Sequence, residues 1–348
     1  MTFNDLRLKI SHDIGIDLGT ANTLVYIKGK GIVINEPSVV AINRKTKQVV
    51  AIGEKAKAMI GRTPAGMQAA RPLVDGVVSN YEITEHMLQY FLDKVQQEHK
   101  VFWPHPRVVI GLPSGVTEVE KRAVEQAARG AGARSVYLVE EPMAAAMGVH
   151  LPVKDARGSL IVDIGGGTTE VAILSLGGIV VSRSLRIAGD EITESIMQFA
   201  RDEYNLQIGE ATAESIKLTI GRVFPSDKPK KMTVRGRNLV SGLPEEVKFS
   251  SDNLRSMLSK QVRPIIEAIK ITLEESPPEL AADIAEDGIV LVGGGSQLAG
   301  LPELMHQETK LQVRVPKNAL SAVVEGCGVV TDNLEDLKDI LVRTGIQS

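Results

Sequence analysis

Short apolar runs bounded by glycine alternate along this chain with longer stretches in which apolar residues return every three or four positions. The runs read as strands and the periodic stretches as helices, an alternation that predicts an α/β protein. "GIVINEPSVVAINRKTKQVVAIG" is rich in valine and isoleucine and predicts strands, with Pro37 marking an edge. Ser79 and Glu82 have capping-box spacing before a helix whose stripe is Ile83, Met87, Phe91 and Val95. "PRVVIGLPSGV" predicts a buried strand and turn. Thr117 and Glu120 form a second capping box, and "SVYLVEEPMAAAMG" a strand entering a helix with Pro142 in its first turn.

The second half repeats the plan. A hairpin turns at Gly177–Gly178, helices follow near 190–204 and 211–220, and a polar hairpin lies near 230–250. A long helix near 252–275 stops at Pro277–Pro278. "DGIVLVGGGSQLAG" predicts a strand leading into a glycine loop, and "ALSAVVEGCGVV" a helix of small residues.

Within that pattern one motif occurs twice. "HDIGIDLGTANTLV" (12–25) and "LIVDIGGGTTEVAI" (160–173) each run from an apolar strand to an aspartate, a glycine turn and a second apolar strand. A glycine turn after a strand lets backbone N–H groups converge on an anion. Gly19, Thr20, Ala21 and Asn22 form one such turn, and Gly165, Gly166, Gly167, Thr168 and Thr169 the other. Asp17 and Asp163, at the strand ends, would repel bare phosphates; Mg²⁺ between them, held through its waters, removes that objection. A lone aspartate–glycine turn is most often only a turn. Two copies and a third glycine loop, "LVGGGSQ", are the pattern expected around a cleft.

Charge and composition narrow the partners. The 348 residues suit two domains rather than one core, and 43% hydrophobic with 24% charged residues is globular. A net charge of −3 offers no basic surplus for nucleic acid. One cysteine, Cys327, allows no internal disulfide, and six scattered histidines show no ligand spacing. Neither a run long enough to span a bilayer nor a secretory signal is evident, so a cytoplasmic protein is the expectation.

"IGIDLGTANT", "VDIGGGTTE" and "LVGGGSQLAGLPEL" resemble the phosphate-1, phosphate-2 and adenosine motifs of the actin/Hsp70/sugar-kinase superfamily. "EEPMAAAMG" and "ALSAVVEGCGVV" resemble its two connecting helices. "NEPSVVA", "GRTP", "RPLVDGVV", "GEATAESIK" and "SPPELAADI" are similar to the MreB family of bacterial actins, and the likeness covers about residues 12–330. It implies an actin-like ATPase fold, with two duplicated α/β domains around a nucleotide cleft. Domain I would be 1–148 plus 316–348, with a small subdomain near 33–75; domain II would be 149–315, with a small subdomain near 185–247.

The resemblance also implies roles. Thr20, Ala21 and Asn22 would contact the phosphates of ATP or ADP from one side, and Gly166, Gly167 and Thr168 from the other. Glu214 and Lys217, three apart on a helix, read alone as a surface ion pair; in the family's position they, with Ser215 and Ile216, would hold the adenosine. Gly294, Gly295, Ser296 and Gln297 would close over the base and α-phosphate. Glu140 would orient the attacking water, assisted by Thr168, with Glu141 the neighbour open to confusion with it. "DLGTANT" holds no lysine, so Mg²⁺ on Asp17 and Asp163 and backbone N–H groups would neutralise charge, and hydrolysis would be slow.

"HKVFWPHP" carries the only tryptophan beside a phenylalanine. Phe102 and Trp103 suit a bilayer interface, the other reading being a satellite core contact; the family's corresponding loop touches membrane. Phe3, Leu6 and Ile10 share one face of a short, weak amphipathic segment. The expected protein is a filament-forming ATPase, in protofilaments that are paired, on the inner face of the cytoplasmic membrane. It would work with the cell-wall elongation machinery and its membrane proteins to maintain rod shape. A small-molecule kinase, a chaperone ATPase, or a plasmid-segregation or division actin on the same fold are the competing readings.

Overall fold

Two mixed sheets of five strands follow one plan. In the first, β1 (Ile14–Leu18), β2 (Asn22–Ile27) and β3 (Gly31–Pro37) form an antiparallel meander. Strands β9 (Arg107–Leu112) and β10 (Ser135–Glu140) extend it in parallel, giving the order β10-β9-β1-β2-β3. In the second, β11 (Ser159–Ile164), β12 (Thr169–Ser175) and β13 (Gly178–Leu185) form the meander. Strands β17 (Ile289–Val292) and β18 (Val313–Arg314) extend it, giving β13-β12-β11-β17-β18. The computed structural model describes residues 13–99 and 105–342, so Phe3, Leu6, Ile10, Phe102 and Trp103 lie outside the described residues.

Smaller elements decorate each sheet. On the first these are a three-stranded sheet of β4 (Val40–Asn43), β5 (Val49–Ile52) and β6 (Met67–Ala70), a helix α1 (Glu54–Lys57), and a ribbon of β7 (Leu73–Val74) and β8 (Val77–Val78). On the second, β14 (Leu206–Gln207), β15 (Lys231–Asn238) and β16 (Pro244–Ser250) pair antiparallel. Helices α2 (Tyr81–His99), α3 (Glu118–Gly130) and α4 (Glu141–Gly148) lie in the first half of the chain. They are followed by α5 (Gly189–Tyr204), α6 (Glu210–Ile220), α7 (Ser251–Glu274), α8 (Pro278–Asp287), α9 (Leu301–Thr309) and α10 (Ala322–Asp332).

Strand alternation sorts these elements into layers. Ile14, Ile16 and Leu18 of β1 pack against Met87 and Phe91 of α2 and Val124 of α3. Leu160, Val162 and Ile164 of β11 pack with Ile192, Ile216 and Leu258 of α5, α6 and α7. The opposite faces of both sheets share a central core with α4 and α10, built from Val109, Val139, Met143, Ile161, Val290 and Cys327 among others. The central strands β11, β12 and β17 are therefore buried on both faces and read as continuous apolar runs, whereas the edge strand β13 alternates between exposed and half-buried positions. The two central helices touch through small residues. A Cβ on Gly326 would lie 1.7 Å from the Ala144 carbonyl oxygen, and one on Gly148 would lie 1.9 Å from that of Ala322.

Local signals held with two corrections. Thr117 and Glu120 make both capping-box bonds at the start of α3. Asn80, not Ser79, caps α2: the Ile83 N–H donates to Asn80 Oδ1 at 3.1 Å. The Ser79 hydroxyl instead donates to the Pro72 carbonyl at 2.9 Å, because the segment before α2 folds back on itself. The β12–β13 turn is centred on Leu176 and Gly177, with φ of 52° and 76°, one residue before the expected glycine pair. Two adjacent positive φ values make the twist that joins tightly paired strands.

Candidate functional site

The duplicated hairpins share one pairing register. Asp17 pairs with Leu24 on β2 and Gly111 on β9; Asp163 pairs with Glu170 on β12 and Val292 on β17. The turns that follow, residues 19–22 and 165–168, come together from the two halves of the chain. A Cβ on Gly166 would fall 2.8 Å from the Ala21 Cβ, and one on Gly167 would fall 3.0 Å from Thr20 Oγ1. Thr20 and Thr168 are buried and Asn22 is exposed. Helix α5 begins against the second turn: the Gly189 and Asp190 N–H groups donate to the Gly165 and Gly166 carbonyls at 3.2 and 2.8 Å.

The third glycine loop reaches the same place. Gly293 has φ of 78°, and a Cβ there would meet Asp163 Oδ1 at 2.2 Å, so the loop after β17 lies against the end of β11. Gly294, Gly295, Ser296 and Gln297 form a 3-10 turn. Within it the Ser296 hydroxyl donates to the Gly293 carbonyl at 2.6 Å, and Gln297 Nε2 donates to Ser296 Oγ at 3.1 Å.

Alternation turns both strand-end aspartates toward the central layer. Burial, and then the charge of Asp163, push the Asp17 carboxyl up to about 7; burial does the same to Asp163. Two desolvated carboxylates facing each other without cations are an arrangement that a divalent ion relieves. Among the described residues no group of three or more acidic, histidine or cysteine side chains makes a self-sufficient metal site. The pair fits Mg²⁺, which takes one or two carboxylates and completes its shell with water and phosphate.

The neighbouring glutamates divide differently from expectation. Glu140 lies on the face of β10 that carries Val136 and Leu138, toward α3. Its carboxyl is raised by burial and held back by Lys121. Glu141, one residue on, sits with the aspartates: burial and then Asp17, Glu170 and Asp163 push its carboxyl well up. The structure thus brings Glu141 rather than Glu140 into the acidic group, because consecutive residues leaving a strand point to opposite sides.

Glu170, which the sequence reading passed over, lies beside the acidic group. It is buried, accepts from Ser184 Oγ at 2.6 Å and from the Ser114 N–H at 3.2 Å, and has its carboxyl pushed up to about 8, chiefly by burial. Ser114 follows β9 of the first sheet, so this carboxylate joins the halves beneath the turns. The available signal was a charged residue inside the otherwise apolar run of β12.

Helix α6 sorts its four candidates by periodicity. Lys217 Nζ pairs with Glu214 Oε2 at 2.6 Å and donates to the Gly189 carbonyl at 2.9 Å and Thr193 Oγ1 at 3.0 Å. Thr193 Oγ1 also donates to Glu214 at 2.7 Å, which fixes the pair beside the start of α5. Ile216 is fully buried in the outer core and Ser215 faces solvent, so neither side chain joins Glu214 and Lys217. Lys217 and Gln297 border one cavity of about 60 Å³, also lined by Gly221, Arg222, Lys228 and Lys230. The roomier groove of about 510 Å³, along α9 near Phe224 and His306, shares none of these residues.

Two sheets of identical strand order, with a glycine turn from each meeting over paired aspartates, define an actin-like fold. The chain belongs to the MreB/Mbl family, whose model, described as "MreB/Mbl protein", matches residues 11–339. It is 48% identical over 333 residues to the cell shape-determining protein MreB of Escherichia coli K12, covering 94% of this chain and 96% of that one. It is 45% identical over 327 residues to the cell shape-determining protein Mbl of Bacillus subtilis 168, covering 94% and 98%. The crystal structure of Spiroplasma citri MreB5 bound to ADP matches with a TM-score of 0.89 at 37% identity, covering 94% and 98%. A second MreB5 structure, bound to AMPPNP, matches at 0.88. The MamK double helical filament, 22% identical with a TM-score of 0.79 over 92% of this chain and 99% of that one, shares the fold.

Proposed function

We propose that this chain binds ATP with Mg²⁺ between its two glycine turns, hydrolyses it slowly, and assembles with it into membrane-associated filaments that direct cell-wall synthesis. The observation that carries the reading is the opposition of Gly166 and Ala21, which gives one ligand phosphate-binding turns from both halves. The nucleotides in MreB5 and the cell-shape names of the relatives support it. The division into 1–148 with 316–348 and 149–315 belongs to the same reading, and the repeated strand order supports it.

In this reading Thr20, Ala21 and Asn22 hold the phosphates from one side and Gly166, Gly167 and Thr168 from the other. Glu214 and Lys217 hold the adenosine, while Gly294, Gly295, Ser296 and Gln297 close over the base. Asp17 and Asp163 hold Mg²⁺ through water, and the bound ion supplies the charge neutralisation that no lysine of the first turn provides. Glu141 orients the attacking water, with Thr168 beside it.

The test is light scattering and electron microscopy with and without ATP, alongside phosphate release in the absence of any acceptor. Polymers with slow phosphate release are expected. Phosphate transfer only when a small-molecule acceptor is added, without polymers, overturns the reading in favour of a kinase. For the membrane part, replacing Phe102 and Trp103 by serine is expected to leave polymers intact and abolish co-sedimentation with liposomes; undiminished co-sedimentation refutes that part.

A further inference from the structure

The two glycine turns are built alike but held differently. Gly19 and Gly165 each stand two residues beyond the strand-end aspartate, and Thr23 and Thr169 six residues beyond it. Thr23 pairs with Glu36 on β3, and Thr169 with Leu185 on β13. Each threonine is fully buried and bonds to the residue two beyond its strand partner. Thr23 Oγ1 bonds to Ser38 Oγ at 2.8 Å, and Thr169 Oγ1 to the Ile187 carbonyl at 2.7 Å. Ser38 and Ile187 are thus equivalent positions of the repeat.

Beyond them the copies part. After Ile187 the chain enters α5, whose first N–H groups, on Gly189 and Asp190, hold the Gly165 and Gly166 carbonyls at 3.2 and 2.8 Å. After Ser38 it enters β4 of the small three-stranded sheet instead, so no helix begins at the corresponding place in the first half. Ser38 supplies both donors itself. Its N–H donates to the Ala21 carbonyl at 3.0 Å and its hydroxyl to the Gly19 carbonyl at 2.6 Å. A serine hydroxyl has one hydrogen, so with Gly19 as its acceptor it accepts from Thr23. The fully buried side chain is fixed from both sides.

These bonds act on the N–H groups of the turns. A trans peptide group is planar, with its C=O and N–H pointing opposite ways. A donor on the Gly19 carbonyl therefore sets the direction of the Thr20 N–H, and one on the Ala21 carbonyl sets that of the Asn22 N–H. In the second turn the start of α5 does the same for the N–H groups of Gly166 and Gly167. We propose that Ser38 is a positioning residue for the first glycine turn, doing with one residue what the start of α5 does for the second. This role rests on the nucleotide reading of the turns, and Ser38 acts through the Gly19–Thr20 peptide rather than by touching the ligand.

The test titrates mant-ADP into the full chain with Mg²⁺, with ADP and AMP competed against it. Ser38→Ala is expected to weaken ADP about ten-fold, the scale of losing one hydrogen bond to a buried carbonyl. AMP is expected to weaken by less than about two-fold, because its single phosphate lies by the Gly294–Gln297 loop in the nucleotide reading. Thr23→Val removes a buried hydrogen bond from the same cluster but leaves Ser38 donating to Gly19. It is expected to lower the melting temperature as much as Ser38→Ala does, yet keep ADP affinity within about two-fold of wild type. Ser38→Cys, with a weaker donor of similar shape, is expected to fall between the alanine variant and wild type, and decides the matter if the alanine variant does not fold. Wild-type ADP affinity in Ser38→Ala, or in Ser38→Cys where only that variant folds, overturns the proposal. So does an equal loss for AMP and ADP, or an equal loss of ADP affinity in Thr23→Val, since either makes the bond merely structural. Failure of the wild type to bind mant-ADP overturns the nucleotide reading, and the role of Ser38 with it.

Discussion

Gly166 and Ala21 lie so close together that a Cβ on the glycine would fall 2.8 Å from the Cβ of the alanine. Each belongs to a different copy of the repeated hairpin, so their contact sets how near the two glycine turns come. Real Cβ atoms do not approach to that distance, and neither partner is the yielding tip of a long side chain. Gly166→Ala is expected to wedge the turns apart and weaken ADP binding about ten-fold, or about 1.4 kcal/mol. Adding Ala21→Gly is expected to recover most of the loss. Titration calorimetry of the single and double variants checks this; equal affinity in Gly166→Ala and wild type would contradict it.

Asp17 and Asp163 make the nucleotide-free protein sensitive to pH. Both carboxyls are raised to about 7 from an ordinary value of 3.8. A folded-state value above the unfolded one means that stability is fully present below about pH 4 and is lost as pH rises through about 7. The melting temperature of nucleotide-free protein is expected to fall across that window by a few degrees, and Asp163→Asn to flatten the slope. Mg²⁺ with AMPPNP favours the ionised pair, so its stabilisation is expected to be larger at about pH 8 than at about pH 5.5. Melting curves at the two pH values check both signs; a parallel rise in the variant and the wild type counts against the assignment.

The two adjacent glutamates separate the competing assignments for the water. Glu141 is coupled to Asp17, Asp163 and Glu170, whereas Glu140 answers to Lys121. Glu141→Gln is expected to slow single-turnover phosphate release about 100-fold while nucleotide still binds, and Glu140→Gln to change it by less than about three-fold. The reverse order would return the role to Glu140.

Gly326 tests the central layer rather than the chemistry. A Cβ there would lie 1.7 Å from the backbone oxygen of Ala144, which only a shift of α4 or α10 could relieve. Gly326→Ala is expected to destabilise by about 3 kcal/mol or more, while Gly66→Ala, which meets nothing within 4 Å, stays within about 1 kcal/mol of wild type. Urea unfolding of the two variants makes the comparison. Indifference at Gly326 would mean that the central helices are less tightly packed than described.

The sequence by itself determined what depends on neighbours along the chain. Strand and helix follow from periodicity, the Thr117–Glu120 cap from spacing, and the two anion-ready turns from an aspartate, glycines and small hydroxyl residues recurring in order. The helix of small residues at 319–330 was legible as a helix, though its close packing on α4 was not. Even the failures at this level were local. Ser79 lost the cap to Asn80 because the fold-back before α2 took its hydroxyl, and the expected glycine turn moved to Leu176–Gly177.

Only the tertiary structure decided which side of each strand is functional. Apolar residues line both sides of β10, so alternation along it gives no hint that Glu140 faces α3 while Glu141 faces the aspartates. The same ambiguity hid Glu170, whose partner Ser114 lies 56 residues away in the other half. On α6 the spacing of Glu214 and Lys217 was readable, but that Ile216 turns into the core depended on where α5 and α7 pack. Arg71 is an ordinary surface arginine until folding brings Asp190 and Glu210 to it, from 119 and 139 residues along the chain. Contacts of that range are fixed by how layers stack, and no single segment of the chain carries that information.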